Sequence, residues 1–207
     1  MTKTKKLLIA AVCLVAILTT AVVGTIAWLS DTATVTNTFS PSNIDITLTE
    51  SENLNLKMVP GTTITKDPKV TVEAGSEACW LFVKIDENLG AWAGGQNTFS
   101  NYLTYSVITT GTNGWTPLDG VSGVYYLEVA ASTADQTFNV LVDNKVNVLG
   151  TVTKDMMDAL YNNDGTVKTA AVPTLTFTAY AIQQVGFGTA TAAWTEVVNT
   201  WHPTQTP

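Results

Sequence analysis

The side chains that carry most enzymatic chemistry are scarce in this sequence. There is a single histidine, His202, beside Pro203 near the C-terminus. Hydrolysis through a serine or cysteine nucleophile needs a neighbouring base, most often histidine. A zinc hydrolase needs two or three nitrogen ligands on a fixed scaffold, usually from an HExxH helix. One histidine next to a proline supplies neither. Carboxylates number seventeen, and Asp86 with Glu87, or Asp155 with Asp158, are the pairs that proximity nominates for glycosidase-type acid and base work. Adjacent residues on a strand face opposite ways, and Asp155 and Asp158 fall on an exposed helix face, so both pairs read as solvated surface. The stretch Asn162-Asn163-Asp164-Gly165 lacks the further oxygen ligands and distal glutamate of a calcium loop and reads as a turn. No catalytic residue, metal ligand or cofactor site is expected, and the chain is read as a non-enzyme.

Cysteine and tryptophan offer two more chances for chemistry. Cys79, within Ala78-Cys79-Trp80-Leu81-Phe82-Val83, reads as a small buried hydrophobe in a strand, with an intermolecular bridge or reactive thiol as the alternative. Of the six tryptophans, Trp80 and Trp194 are most simply core. Trp92 and Trp115 sit in loops rich in Gly, Thr and Asn. They either pack those loops onto the fold or stack on sugar rings, and the second possibility makes a cell-surface adhesin or carbohydrate-binding module the alternative function.

The N-terminus addresses the compartment. Lys3, Lys5 and Lys6 precede an uncharged apolar run from Leu7 to Leu29, the n-region and h-region of a secretory signal peptide. The run is long enough to span a bilayer, so a permanent anchor is the rival. Thr25 and Ala27 provide the small residues that a signal peptidase requires, and cleavage is expected between Ala27 and Trp28. Thr19, Thr20, Gly24 and Thr25 also dilute the end of the run, where an anchor would still lie in lipid. Cys13 follows Val12 where a lipoprotein needs a small residue, so lipidation is discounted.

Removal of 1–27 leaves seven lysines, no arginine and seventeen acids, a formal charge of −10. That balance argues against nucleic acid as a partner and against anionic membrane surfaces. Membrane contact is expected only through the uncleaved signal peptide. Residues 28–202 have the length of one domain, and the tail 203–207 is polar and carries no LPxTG-type sorting signal.

The elements that must position these residues are strands. Threonine, valine and apolar alternation predict them over 33–39, 44–49, 69–73, 79–86, 103–110, 124–129, 136–142 and 174–182. Turn signals separate them, among them Pro60-Gly61, Asp67-Pro68, Ala74-Gly75, Gly94-Gly95, Asn113-Gly114 and Asp119-Gly120. Short helices are expected over 153–161, capped by Thr153, and over 191–200. The fold class is all-β: a jelly-roll-like antiparallel β-sandwich with one or two short helices, preceded by a signal-peptide helix.

Three segments carry a resemblance. The signal-peptide end and first mature strand, Gly24-Thr25-Ile26-Ala27-Trp28-Leu29-Ser30-Asp31-Thr32-Ala33-Thr34-Val35-Thr36-Asn37-Thr38-Phe39, are similar to the TasA/camelysin family of secreted Gram-positive proteins. The stretch from Asn43-Ile44-Asp45-Ile46-Thr47-Leu48 to Pro60-Gly61-Thr62-Thr63-Ile64-Thr65-Lys66-Asp67-Pro68 resembles that family's strand and its PG…KD turn. Phe177-Thr178-Ala179-Tyr180-Ala181-Ile182-Gln183 with Ala193-Trp194 resembles its closing strand and helix.

The resemblance implies processing by a SipW-type signal peptidase and a jelly-roll subunit of extracellular biofilm-matrix fibres. It implies self-association by donation of the strand after the cleavage site, here Ala33, Val35, Asn37 and Phe39. Matrix polysaccharide or an accessory assembly protein would be further partners. The alternative is that 33–39 completes its own subunit's sheet. Camelysin itself carries a metallopeptidase label, for which the lone tail histidine leaves no ligand set here.

Overall fold

β-Branched and aromatic residues fit a pleated surface that is buried on one side, and they set this chain as short antiparallel strands. The computed structural model describes residues 43–51, 58–90, 98–168 and 172–200. In chain order the strands are β1 (Ile46–Thr49), β2 (Thr63–Thr65), β3 (Lys69–Val72), β4 (Cys79–Asn88), β5 (Leu103–Thr104), β6 (Thr116–Pro117), β7 (Val124–Val129), β8 (Gln136–Asn139), β9 (Lys145–Val148) and β10 (Thr174–Gln183). Two helices accompany them, α1 (Lys154–Asp158) and α2 (Ala190–Thr200).

The strands form three antiparallel sheets in the orders β1-β3-β8, β10-β4-β7-β6 and β2-β9-β5. The expected all-β antiparallel sandwich is borne out. The signal-peptide helix, Ala27, Trp28, the strand expected over 33–39, Trp92 and His202 lie outside the described residues.

The spine is β4, whose ten residues pair along their whole length with β10 on one side, while Cys79–Lys84 pair with β7 on the other. Period-two alternation sends Cys79, Leu81, Val83 and Ile85 to one face. There they meet Val70 and Val72 of β3, Phe138 of β8 and Val146 and Val148 of β9, so the four-stranded sheet packs over the other two.

The opposite face of β4 carries Trp80 and Phe82, which in a two-layer sandwich would meet water. Instead α2 lies over them with Ala193, Trp194 and Val197. The Trp194 ring stands 5.2 Å from Phe82 and 5.5 Å from Tyr180, and the Trp80 indole N–H donates to the Phe187 carbonyl at 3.1 Å. Thr189 starts the helix, its hydroxyl accepting from the Ala192 amide. Thr153 does the same for α1, accepting from Met156 as its sequence position predicts.

The strand expected over 103–110 is broken. Leu103 and Thr104 pair with β9. The chain then leaves that sheet, and Ser106 and Ile108 bond instead to Val142 and Val140. An apolar alternation shows which side chains face inwards and leaves the identity of the pairing partner open, so one period here spans a sheet strand and the isolated bridge Val107–Leu141.

Candidate functional site

The residues nominated for chemistry are held in ordinary structural roles. Asp86 pairs with Lys84 at 2.8 Å on the surface. Glu87 accepts from the Tyr105 hydroxyl at 2.7 Å, and burial, then Glu87 itself, pushes the Tyr105 phenol above its usual range. Asp158 pairs with Lys154 one helical turn away. Asp164 accepts from the amide and hydroxyl of Thr166, closing the Asn162–Gly165 turn between the bridged residues Tyr161 and Val167. Cys79 is fully buried, and burial pushes its thiol up to about 11, which makes it a packing residue.

Of the two roles the sequence leaves open for Trp115, packing is the one it takes, and the stacking role is not met. It has no exposed surface, its ring packs edge-on to Phe138, and its indole N–H donates to the Asn139 carbonyl at 2.9 Å. A sugar has no face to stack on there, because the indole is wedged into the sandwich.

What the fold does leave open is strand edge, and the ladders show where. In an antiparallel pair the peptide groups of successive residues point alternately to the partner and away from it. The Gln184 amide bonds to Ala78, so the even residues of β10 face β4. The peptide groups of Leu175, Phe177, Ala179 and Ala181 therefore face outwards. By the same reasoning the Glu73 amide on Asp45 turns the peptide groups of Ile46 and Leu48 away from β3. Among the described residues no strand pairs either edge.

These two edges lie side by side. Ile44–Ile46 border one cavity with Ala179–Ile182, and Leu48–Glu50 border another with Leu175–Phe177, so β1 and β10 run antiparallel along a common seam without ladder bonds between them. The first cavity, about 430 Å³, is walled on its third side by Glu196, Val197 and Thr200 of α2. The second, about 330 Å³, ends against Lys66 and Pro68.

Two other edges are partly blocked. The outward residue of β6 is Pro117, which has no N–H to donate. On β8, Asn139 is taken by Trp115, and the chain beyond it pairs with Ser106 and Ile108. Edges blocked in this way resist pairing with another chain, and the seam lacks any such device among the described residues.

One end of the seam is clasped. Consecutive residues Lys66 and Asp67, between β2 and β3, hold consecutive residues Glu50 and Ser51 at the end of β1. The Lys66 ammonium is 2.7 Å from Glu50 Oε1 and 5.2 Å from the centroid of the Phe177 ring. Asp67 is 6% exposed. Its carboxylate accepts from the Ser51 amide at 3.0 Å and from the Ser51 hydroxyl at 2.5 Å, and pairs with Lys69 at 3.0 Å. The hydrogen bonds from Ser51 dominate and bring the Asp67 carboxyl down to about 2, against the opposing effect of burial. The Lys66 amide, in turn, donates to Asn144 just ahead of β9. Lys66 thus touches parts of all three sheets. Sequence reasoning quoted the Lys-Asp pair as a motif and missed its role; the clue was a cation and an anion placed together at a turn before proline.

An antiparallel sandwich with an open, clasped seam is the frame for the comparison with known proteins. Residues 3–79 match the family described as camelysin metallo-endopeptidase, and the resemblance to the TasA/camelysin family is thus shown over that stretch. The match takes in β1, β2, β3 and the clasp, and stops at the first residue of β4. No curated protein matches the chain.

The family's description implies a metal, and the described residues do not fit one. No group of three His, Cys, Asp or Glu side chains stands together among them. Their one cysteine is sealed in the core, and their most buried carboxylate, Asp67, is already saturated by Ser51 and Lys69.

Proposed function

We propose that the protein is a secreted structural subunit of an extracellular matrix that polymerises by strand donation once its signal peptide is removed. In this reading the segment Ala33, Val35, Asn37 and Phe39 of one copy adds to the seam of the next. The observation that carries the proposal is the seam itself: two antiparallel edges with outward peptide groups, flanked by cavities. The outward-facing stretch of β10 from Leu175 to Ile182 matches the length of 33–39 to within a residue or so. While the signal peptide tethers the donor to the membrane the strand cannot be handed on, so cleavage between Ala27 and Trp28 by a SipW-type peptidase would release assembly.

Electron microscopy of the processed chain, 28–207, beside a version lacking 31–39 tests this. Regular fibres are expected from the first and monomers from the second. Fibres persisting in the deletion, or monomers in both, would overturn it.

A further inference from the structure

Lys66 stands where the seam meets a second cavity. That cavity, about 320 Å³, is apolar, with Ile64, Phe99, Leu103 and Val146 in its wall, and Lys66 and Leu175 border both it and the seam. The Lys66 side chain is only 14% exposed. Its ammonium is fixed on one side by Glu50, at the end of β1, and on the other by the face of Phe177, on β10. The side chain therefore spans the gap between the two edges like a crossbar. Its backbone cannot swing away, because the Lys66 amide is bonded to Asn144 and the next residue, Asp67, is pinned to Ser51.

We infer that Lys66 is the end stop of the seam: a strand that adds to β10 seats between Ile182 and Phe177 and is arrested at the Glu50–Lys66–Phe177 crossbar, which sets its register. The inference rests on the seam being the strand acceptor. Register needs such a device here. The segment 33–39 is threonine-rich with few large side chains, and strands of that kind slip easily, a one-residue slip exchanging every inward side chain for an outward one. Removing the crossbar would join the seam to the apolar cavity and let the strand run on.

Cross-linking reads the register directly. In the processed chain Ala179→Cys is combined, one at a time, with a cysteine at each position from 33 to 39, and the chains are oxidised mildly. Cross-strand neighbours have Cβ atoms about 4.5–5.5 Å apart, close to disulfide geometry. The buried Cys79 thiol, held up at about 11, stays out of the reaction. Each set is made with Lys66, with Lys66→Ala and with Lys66→Arg, and the thermal midpoint of every chain is recorded so that unfolded variants are recognised. A single dominant donor position is expected with Lys66 and with Lys66→Arg, which keeps both the Glu50 pair and the contact with Phe177. Two or more positions are expected with Lys66→Ala. The same single position in folded Lys66→Ala overturns the end stop and leaves the seam as acceptor. No cross-link in any chain overturns both readings. Cross-links within monomers rather than between copies would move the end stop to a strand of the same subunit and refute donation.

Discussion

Asp67 is the residue whose chemistry most directly supports the seam. Its carboxyl lies near 2 rather than at the ordinary 3.8 because the charged form accepts two bonds from Ser51. A depressed folded-state value means that the charged form is favoured by folding. The stabilisation is complete above about pH 4 and is lost as pH falls through 2. Replacing Asp67 by Ala should lower stability at neutral pH by about 2 kcal/mol, the typical worth of hydrogen bonds to a charged group. Between pH 4 and 2 the variant's urea midpoint should change less than the parent's; parallel pH profiles would show that Ser51 is held by something else. The sequence displayed the Lys66-Asp67 pair and the Glu50-Ser51 pair openly. That one clasps the other depends on a contact across sixteen positions, which no local pattern encodes. Trp115 shows the same limit, since a tryptophan beside glycine has the same local signature whether it stacks on a ligand or plugs a core.

At the scale of elements, long and strongly apolar segments were the legible ones. The strands expected over 79–86, 124–129 and 174–182 are present as β4, β7 and β10, and both helices lie within a few residues of their expected positions. Strands β2, β6 and β9 were not anticipated. Each has four residues or fewer, too few to display a period. β9 moreover follows Asp143 and Asn144, two successive left-handed residues with φ of 54° and 52°, which read in sequence as the middle of a loop. The double burial of β4 was legible in part: an unbroken run from Cys79 to Val83 signals a strand covered on both faces, and α2 is the cover. Trp194→Ala should therefore cost roughly 3–5 kcal/mol, as for other large-to-small core changes, with the loss read from chemical denaturation followed by circular dichroism. A loss below about 1 kcal/mol would mean that α2 is an appendage and the second face of β4 stands without it.

For the whole molecule, charge governs how copies meet. With residues 1–27 removed the chain would carry −10, so any two copies repel before their edges touch. Raising ionic strength from about 0.01 M to 0.15 M shortens the screening length from about 30 Å to about 8 Å. Assembly followed by light scattering should accordingly speed up several-fold over that range. Slowing with salt would point to a specific ion pair as the driving contact and away from strand addition. The sandwich class was readable from composition and turn spacing. The open seam was not, because an unpaired edge is a property of strand order, and strand order is decided by contacts between residues far apart in the chain.

The indole of Trp115 bears one proton, and the Asn139 carbonyl receives it. That bond occupies one outward carbonyl of β8, as Pro117 leaves the outward side of β6 without a donor. A polymer joined through the seam alone would have one socket and one plug per subunit. It would lengthen as an unbranched thread, and a material made of such threads would owe its toughness to length and entanglement rather than to a cross-linked net.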